Sequence, residues 1–272
     1  MTLPIIGAAL GLGALPTYRD WLFEKDRDLE LQDFIDPGLL ASGDWAARVD
    51  AAKPALDEFG GRLGIHGPIW GLDLANPDPD GRAVVTRRCL QGLEICEALG
   101  ATHMVIHSPY TTWDGNHLDL WPNARASKVE AVHETLRDVV RRAEDIGKTL
   151  VIENIEDTDP MDRVTLAKSF GSTAIQVSLD TGHAAYAHGC NGAPPVDRYV
   201  MAAGAIQAHV HLQDADGYAD RHWNFGEGSI PWAQVFRALG ALSSNPRLVL
   251  ELRDKAGIPA SMRFLEARGL GQ

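Results

Sequence analysis

Thr149-Leu-Val-Ile-Glu153 and, one helical stretch later, Ile175-Gln-Val-Ser-Leu-Asp180 are short apolar runs, each closed by a carboxylate directly after an aliphatic residue. Runs of this length and β-branched content read as buried strands. Working outward, the same kind of run recurs at Ile5–Leu10, Leu29–Phe34, Arg62–His66, His103–His107, Gln207–Leu212 and Arg247–Glu251, which makes eight. Between them lie residues spaced three and four apart, such as Val85, Cys89, Leu93, Cys96 and Leu99, or Val129, Val132, Leu136, Val139 and Ala143. That spacing puts one apolar stripe on a helix, as an outer-ring helix needs. Ser127 with Glu130 reads as a capping box opening the second of these helices, and Gly60, Gly100 and Gly147 read as left-handed helix ends.

Strands that alternate with helices pair in parallel, and closure into a barrel removes both sheet edges. The 272 residues match the usual length of one such barrel, and no Pro/Ser-rich or low-complexity segment divides them. The expectation is an α/β chain, a single (β/α)8 TIM barrel over residues 1–272. An open doubly wound sheet would carry a Gly-rich phosphate loop after its first strand. Gly7–Gly13 has the glycines without that spacing.

In a closed parallel barrel the chemistry sits where the strands end. Six consecutive runs end on a His or a carboxylate after an aliphatic residue: His66, His107, Glu153, Asp180, His211 and Glu251. Three carboxylates converging near the axis repel one another and lose hydration unless a cation or proton compensates. A divalent ion is the economical answer. An oxygen and imidazole donor set without thiolate suits Mn²⁺, Mg²⁺, Co²⁺ or Zn²⁺. His183 and the Asp220-Arg-His222 segment extend the cluster, whereas solvent exposure accounts for His103, His117, His133 and His188. His209 shares a face with His211 and fills a core layer or supports the site from below.

Composition narrows the partners. The 25 basic residues fall well short of the 37 acidic ones, which disfavours nucleic acid because such affinity comes from Lys and Arg contacts to phosphate. Ile5–Leu15 lacks a preceding basic residue, is broken by glycines and Pro16, and reads as neither a signal peptide nor a membrane span. Cys89, Cys96 and Cys190 are too few for a disulfide framework, so a reducing, cytoplasmic setting is expected. Self-association into a symmetric homo-oligomer is expected from base rate alone.

These segments together resemble the xylose isomerase-like barrel superfamily, in particular its sugar phosphate isomerase/epimerase group, which is related to the endonuclease IV-type apurinic endonucleases. The resemblance rests on Ile65-His-Gly-Pro68, Val105-Ile-His107, Val151-Ile-Glu-Asn154, Leu179-Asp-Thr-Gly-His183, His211-Leu-Gln-Asp214, Asp220-Arg-His222, Gly226-Glu-Gly228 with Pro231-Trp232, and Leu250-Glu251, and covers nearly the whole chain. It implies a metal held by Glu153, Asp180, His211 and Glu251, with Glu153 and Glu251 as acid/base pair. The implied reaction is isomerisation or epimerisation of a small carbohydrate: one glutamate takes a proton next to the carbonyl, and the other returns one through an enediolate. His66, His107, His183, Asp220 and His222 would contact substrate, and Trp113 would pack on a sugar face. The ketohexose epimerases of the group carry an Arg where His222 stands, which puts free ketohexoses in doubt. Two alternatives stay open. Endonuclease IV-type enzymes use residues like His66, His107, His183, Asp220 and His222 as further zinc ligands, and a non-catalytic sugar-binding barrel would keep the fold without using the acid/base pair.

Overall fold

The structure, a computed structural model, describes residues 3–272. Eight parallel strands close in sequence order: β1 (Gly7–Leu10), β2 (Leu29–Leu31), β3 (Leu63–His66), β4 (His103–His107), β5 (Thr149–Glu153), β6 (Ile175–Asp180), β7 (Gln207–Leu212) and β8 (Arg247–Leu250), with β8 paired back to β1. The expected TIM barrel is therefore the fold. Strand limits agree for β4 to β7. The first strand starts later because the Ile6 N–H bonds the carbonyl of Gln272 and Ile5 lies exposed. The second stops before Gln32, and its remaining apolar residue Phe34 packs into the core from the following turn.

The helices are α1 (Leu15–Phe23), α2 (Pro37–Ser42), α3 (Trp45–Ala55), α4 (Pro79–Leu99), α5 (Thr112–His117), α6 (Ala124–Asp145), α7 (Pro160–Ser169), α8 (Thr181–Asn191), α9 (Val196–Ala203), α10 (Trp232–Gly240) and α11 (Ile258–Ala267). Val85, Cys89, Leu93 and Cys96 of α4 and Val132, Leu136, Val139 and Ala143 of α6 are buried, as their spacing requires. Among the described residues no helix is long and apolar enough to cross a membrane.

Two of the expected helix ends need correction. The Ser127/Glu130 box does not open α6: the helix begins at Ala124, after Asn123 in a left-handed conformation, so Ser127 lies inside its first turns. Gly60 does not end α3 either. That helix stops at Ala55, and the left-handed residue of the turn is Glu58. Gly100 and Gly147 do adopt positive φ at the ends of α4 and α6.

Side chains alternate along each strand, so β4 sends His103, Val105 and His107 to one face and β7 sends Gln207, His209 and His211. These residues face the axis, and register sets their height: His107 pairs with Glu153, and Asp180 with His211. A one-residue shift between Val177 and Ser178 brings Ser178 level with His209. The interior is more polar than an aliphatic barrel core: Glu30, His103, Ser178, Gln207 and His209 are all fully buried. His103 thus departs from the solvent-exposed role expected of it. Its ring takes the space over Gly64, where a Cβ would sit 1.9 Å from it.

Candidate metal centre

Glu153 ends β5, Asp180 ends β6, His211 is the penultimate residue of β7, and Glu251 directly follows β8. All four are buried, and each offers a ligand atom lying within 4.8 Å of the others. His211 Nδ1 stands 3.0 Å from Glu153 Oε1 and 3.4 Å from Glu251 Oε2. The expected convergence of these strand ends is therefore what the fold produces.

Asp180 is fixed twice over. It is the N-cap of α8, accepting the His183 N–H at 2.7 Å, and both of its carboxylate oxygens accept from Gln213 Nε2 at 3.0 Å. Asn154 straps β5 to β6, its amide pairing with the N–H and carbonyl of Asp180. Both straps rigidify the donor atoms, which lowers the entropy lost when they close on an ion.

The remaining expected residues ring this group. His66 Nε2 and His107 Nε2 lie 3.5 and 3.9 Å from Glu153 Oε2. On the other side, His183 Nε2 and His222 Nε2 approach Asp220 Oδ1 at 3.5 and 3.0 Å, and His183 Nδ1 is 3.6 Å from Glu153 Oε1. His222 is held at positive φ, an uncommon conformation for a non-glycine residue. Its N–H donates to Gln213 Oε1 and its Nδ1 to the carbonyl of Glu251. Trp113 stands apart: its ring stacks on His117 in α5 and is 70% exposed.

Burial alone pushes the Glu153 carboxyl up, but His211, His66 and His107 outweigh it and hold it well below the usual range. Glu251 goes the other way, raised by burial and by the charge of Glu153 despite His211. Burial works against protonation of His211, yet Glu251, Glu153 and Glu30 hold it well above its ordinary value. The metal-free centre thus takes up protons on histidine to balance its carboxylates. Glu153 Oε2 has no hydrogen-bond partner at all. A buried, unpartnered carboxylate oxygen beside an oxygen-and-imidazole donor set is the arrangement a divalent cation completes.

Several polar residues at the site were not singled out from sequence. Glu30 is the clearest: it bonds His211 Nε2 at 2.8 Å. Its signal was an acid at the centre of the apolar run Leu29-Glu30-Leu31, inside the strand rather than at its end. Gln32 Nε2 donates to Glu251 Oε1, and Lys255 Nζ donates to Gln32 Oε1, setting an ammonium group at the β8 side of the mouth. Neither had a local pattern to reveal it: Gln32 lies just past β2, and Lys255 opens a short 3-10 turn after β8.

The Xylose isomerase-like TIM barrel family model matches residues 30–268. Uncharacterized protein MJ1311 of Methanocaldococcus jannaschii is 26% identical over 204 residues, 73% of this chain and 67% of that protein. Among solved structures, the TTHB071 protein of Thermus thermophilus, soaked with ZnCl2, is 29% identical with a TM-score of 0.73, over 98% of this chain and 99% of that one. A D-tagatose 3-epimerase-like protein superposes with a TM-score of 0.76 at 20% identity, over 97% and 96% of the two chains. A match that runs from β2 into the last helix, across the ends of seven of the eight strands, makes this chain a member of the Xylose isomerase-like TIM barrel family.

Proposed function

We propose that the chain is a metal-dependent isomerase or epimerase of a small sugar, sugar phosphate or keto-sugar, with Glu153, Asp180, His211 and Glu251 as ligands of one divalent ion. The observation that carries this is the placing of two buried glutamates, one from β5 and one following β8, about a single imidazole nitrogen. Binding alone has no need of a matched carboxylate pair, which speaks against a non-catalytic barrel. The similarity to a D-tagatose 3-epimerase-like protein supports the same class.

The bound ion supplies Lewis-acid stabilisation of the substrate oxygen that gains negative charge. Glu153, kept ionised by its histidines, takes the proton from the carbon beside the carbonyl. Glu251, whose carboxyl is pushed up, returns a proton from its own side. His66, His107, His183, Asp220 and His222 bind the hydroxyl groups that fix the sugar between the two glutamates, with Trp113 as a rim residue. The reaction run in deuterium oxide tests this: deuterium enters the product at the carbon next to the carbonyl. Product free of deuterium sinks the proton-transfer mechanism.

A second reading draws on one further observation. His66, His107 and Glu153 form one three-donor group, and His183, Asp220 and His222 another, beside the central four. Three ions in these groups would suit phosphodiester hydrolysis at abasic DNA sites, against which the net charge of −12 weighs. Cleavage of abasic-site duplex by zinc-loaded protein, lost in Asp220→Ala, would establish this reading in place of the first.

A further inference from the structure

Below the proposed centre the barrel axis holds a second polar layer that the reaction above does not use. Glu30 is fully buried at the middle of β2, with one carboxylate oxygen 2.8 Å from His211 Nε2. Its other oxygen faces His209 Nε2 at 3.1 Å and His103 Nε2 at 3.7 Å. His209 is itself tied to Ser178, its Nδ1 lying 2.8 Å from Oγ. The His103 ring lies where a side chain on residue 64 would be, so the glycine at that position makes room for the layer.

We infer that Glu30 is a positioning residue for the metal centre, holding His211 in the one ring orientation and tautomer that turns Nδ1 toward the ion. This rests on the reading that Glu153, Asp180, His211 and Glu251 bind the metal. An ionised carboxylate has no hydrogen to give, so the nitrogen it meets at hydrogen-bond distance must carry one. Nε2 therefore carries a hydrogen held on Glu30; Nδ1, which meets Glu153 Oε1 at 3.0 Å and carries one as well while no ion is bound, faces Glu153 and Glu251 and is the nitrogen whose proton a metal would replace. Rotating the ring by half a turn would put carbon where each nitrogen stands and forfeit both the bond to Glu30 and the contact with Glu153. His103 and His209 lie against the other Glu30 oxygen from below without completing a hydrogen bond to it, and none of these groups reaches solvent.

The same residues could be imagined around an ion of their own, since Glu30, His209 and His211 are close enough. The 2.8 Å contact between Glu30 and His211 is a hydrogen-bond length, and the layer lies beneath the centre, whereas His107, His183 and His222 around the centre reach solvent and leave it a path to the mouth. The hydrogen-bond reading is the one these distances favour.

Carboxylate partners of a ligating histidine typically govern metal affinity by about ten- to a hundredfold. The test is Zn²⁺ affinity by chelator competition on the full chain, wild type against Glu30→Gln, a substitution that keeps shape and removes the charge. Weakening by about ten- to a hundredfold with the zinc-to-protein ratio unchanged is expected. Long-range ¹H–¹⁵N spectra of zinc-loaded wild type provide a readout independent of any variant: His211 should show a protected Nε2–H and a metal-bound Nδ1. A residue that merely fills the core would alter melting temperature and leave both readouts alone. Affinity in Glu30→Gln within about twofold of wild type overturns the inference while leaving the metal-centre reading intact; a protonated Nδ1 in the zinc-loaded spectrum overturns both. Wild type that binds no zinc overturns both.

Discussion

Glu153 faces four imidazoles: His66, His107, His183 and His211 all lie within 4 Å of its oxygens. A buried carboxylate so surrounded is held ionised, which is the state a base needs at neutral pH. Glu153→Gln keeps the volume and removes the charge. It should lower turnover by about 10²- to 10⁴-fold and weaken metal binding, with far-ultraviolet circular dichroism unchanged. Turnover and metal content equal to wild type in this variant would remove Glu153 from the mechanism. The residue was legible because it ends its strand directly after an aliphatic residue, as His66, His107 and Asp180 do and as Glu251 does one position past β8. Glu30 was not, because it sits inside its run, where a lone acid between two leucines looks like an interruption of the strand.

Asp214 shows what a single side chain does for a whole loop. Its carboxylate accepts the N–H groups of Ala215, Gly226, Gly228 and Ile230, folding the segment after β7 back so that Asp220 and His222 reach the centre. Asp214→Ala leaves those amides without a partner at a cost of about 1–3 kcal/mol for each buried one. Denaturant titration should show a loss of about 3 kcal/mol or more, and the loop should become susceptible to proteolysis near Tyr218, which is exposed. A midpoint unchanged from wild type would mean that the loop is held by other contacts. Strands β4 to β7 were legible to the residue because their apolar runs are bounded by charged or polar groups. Helix starts were less so: Ser127 and Glu130 have the spacing of a cap, but tertiary packing carries α6 one turn further back, to Asn123.

Across the whole barrel the charge pattern predicts a pH optimum of stability for the metal-free protein. Burial opposes charging of His222, but Asp220 and Glu251 raise it to about 9, so its stabilisation is complete below about 6.5 and lost as pH rises through 9. His183 and His211 act with the same sign. Burial lowers His103 and His107 to about 3, so their contribution is complete above about 6.5 and lost as pH falls toward 3. Melting temperature in excess chelator should therefore peak near pH 6.5, and a steady rise through pH 9 would contradict this assignment. The closed barrel and the convergence of its strand ends were readable from the order of runs alone. Of the polar layer beneath, only His209 was, through its alternation with His211; Glu30 and His103 were not, because which strand face meets the axis, and at what height, depends on register. The most direct test of the account is anomalous scattering from crystals of protein loaded with Zn²⁺ or Mn²⁺. It predicts an ion bound jointly by Glu153, Asp180, His211 and Glu251; loaded crystals with no anomalous peak among those four side chains would contradict it.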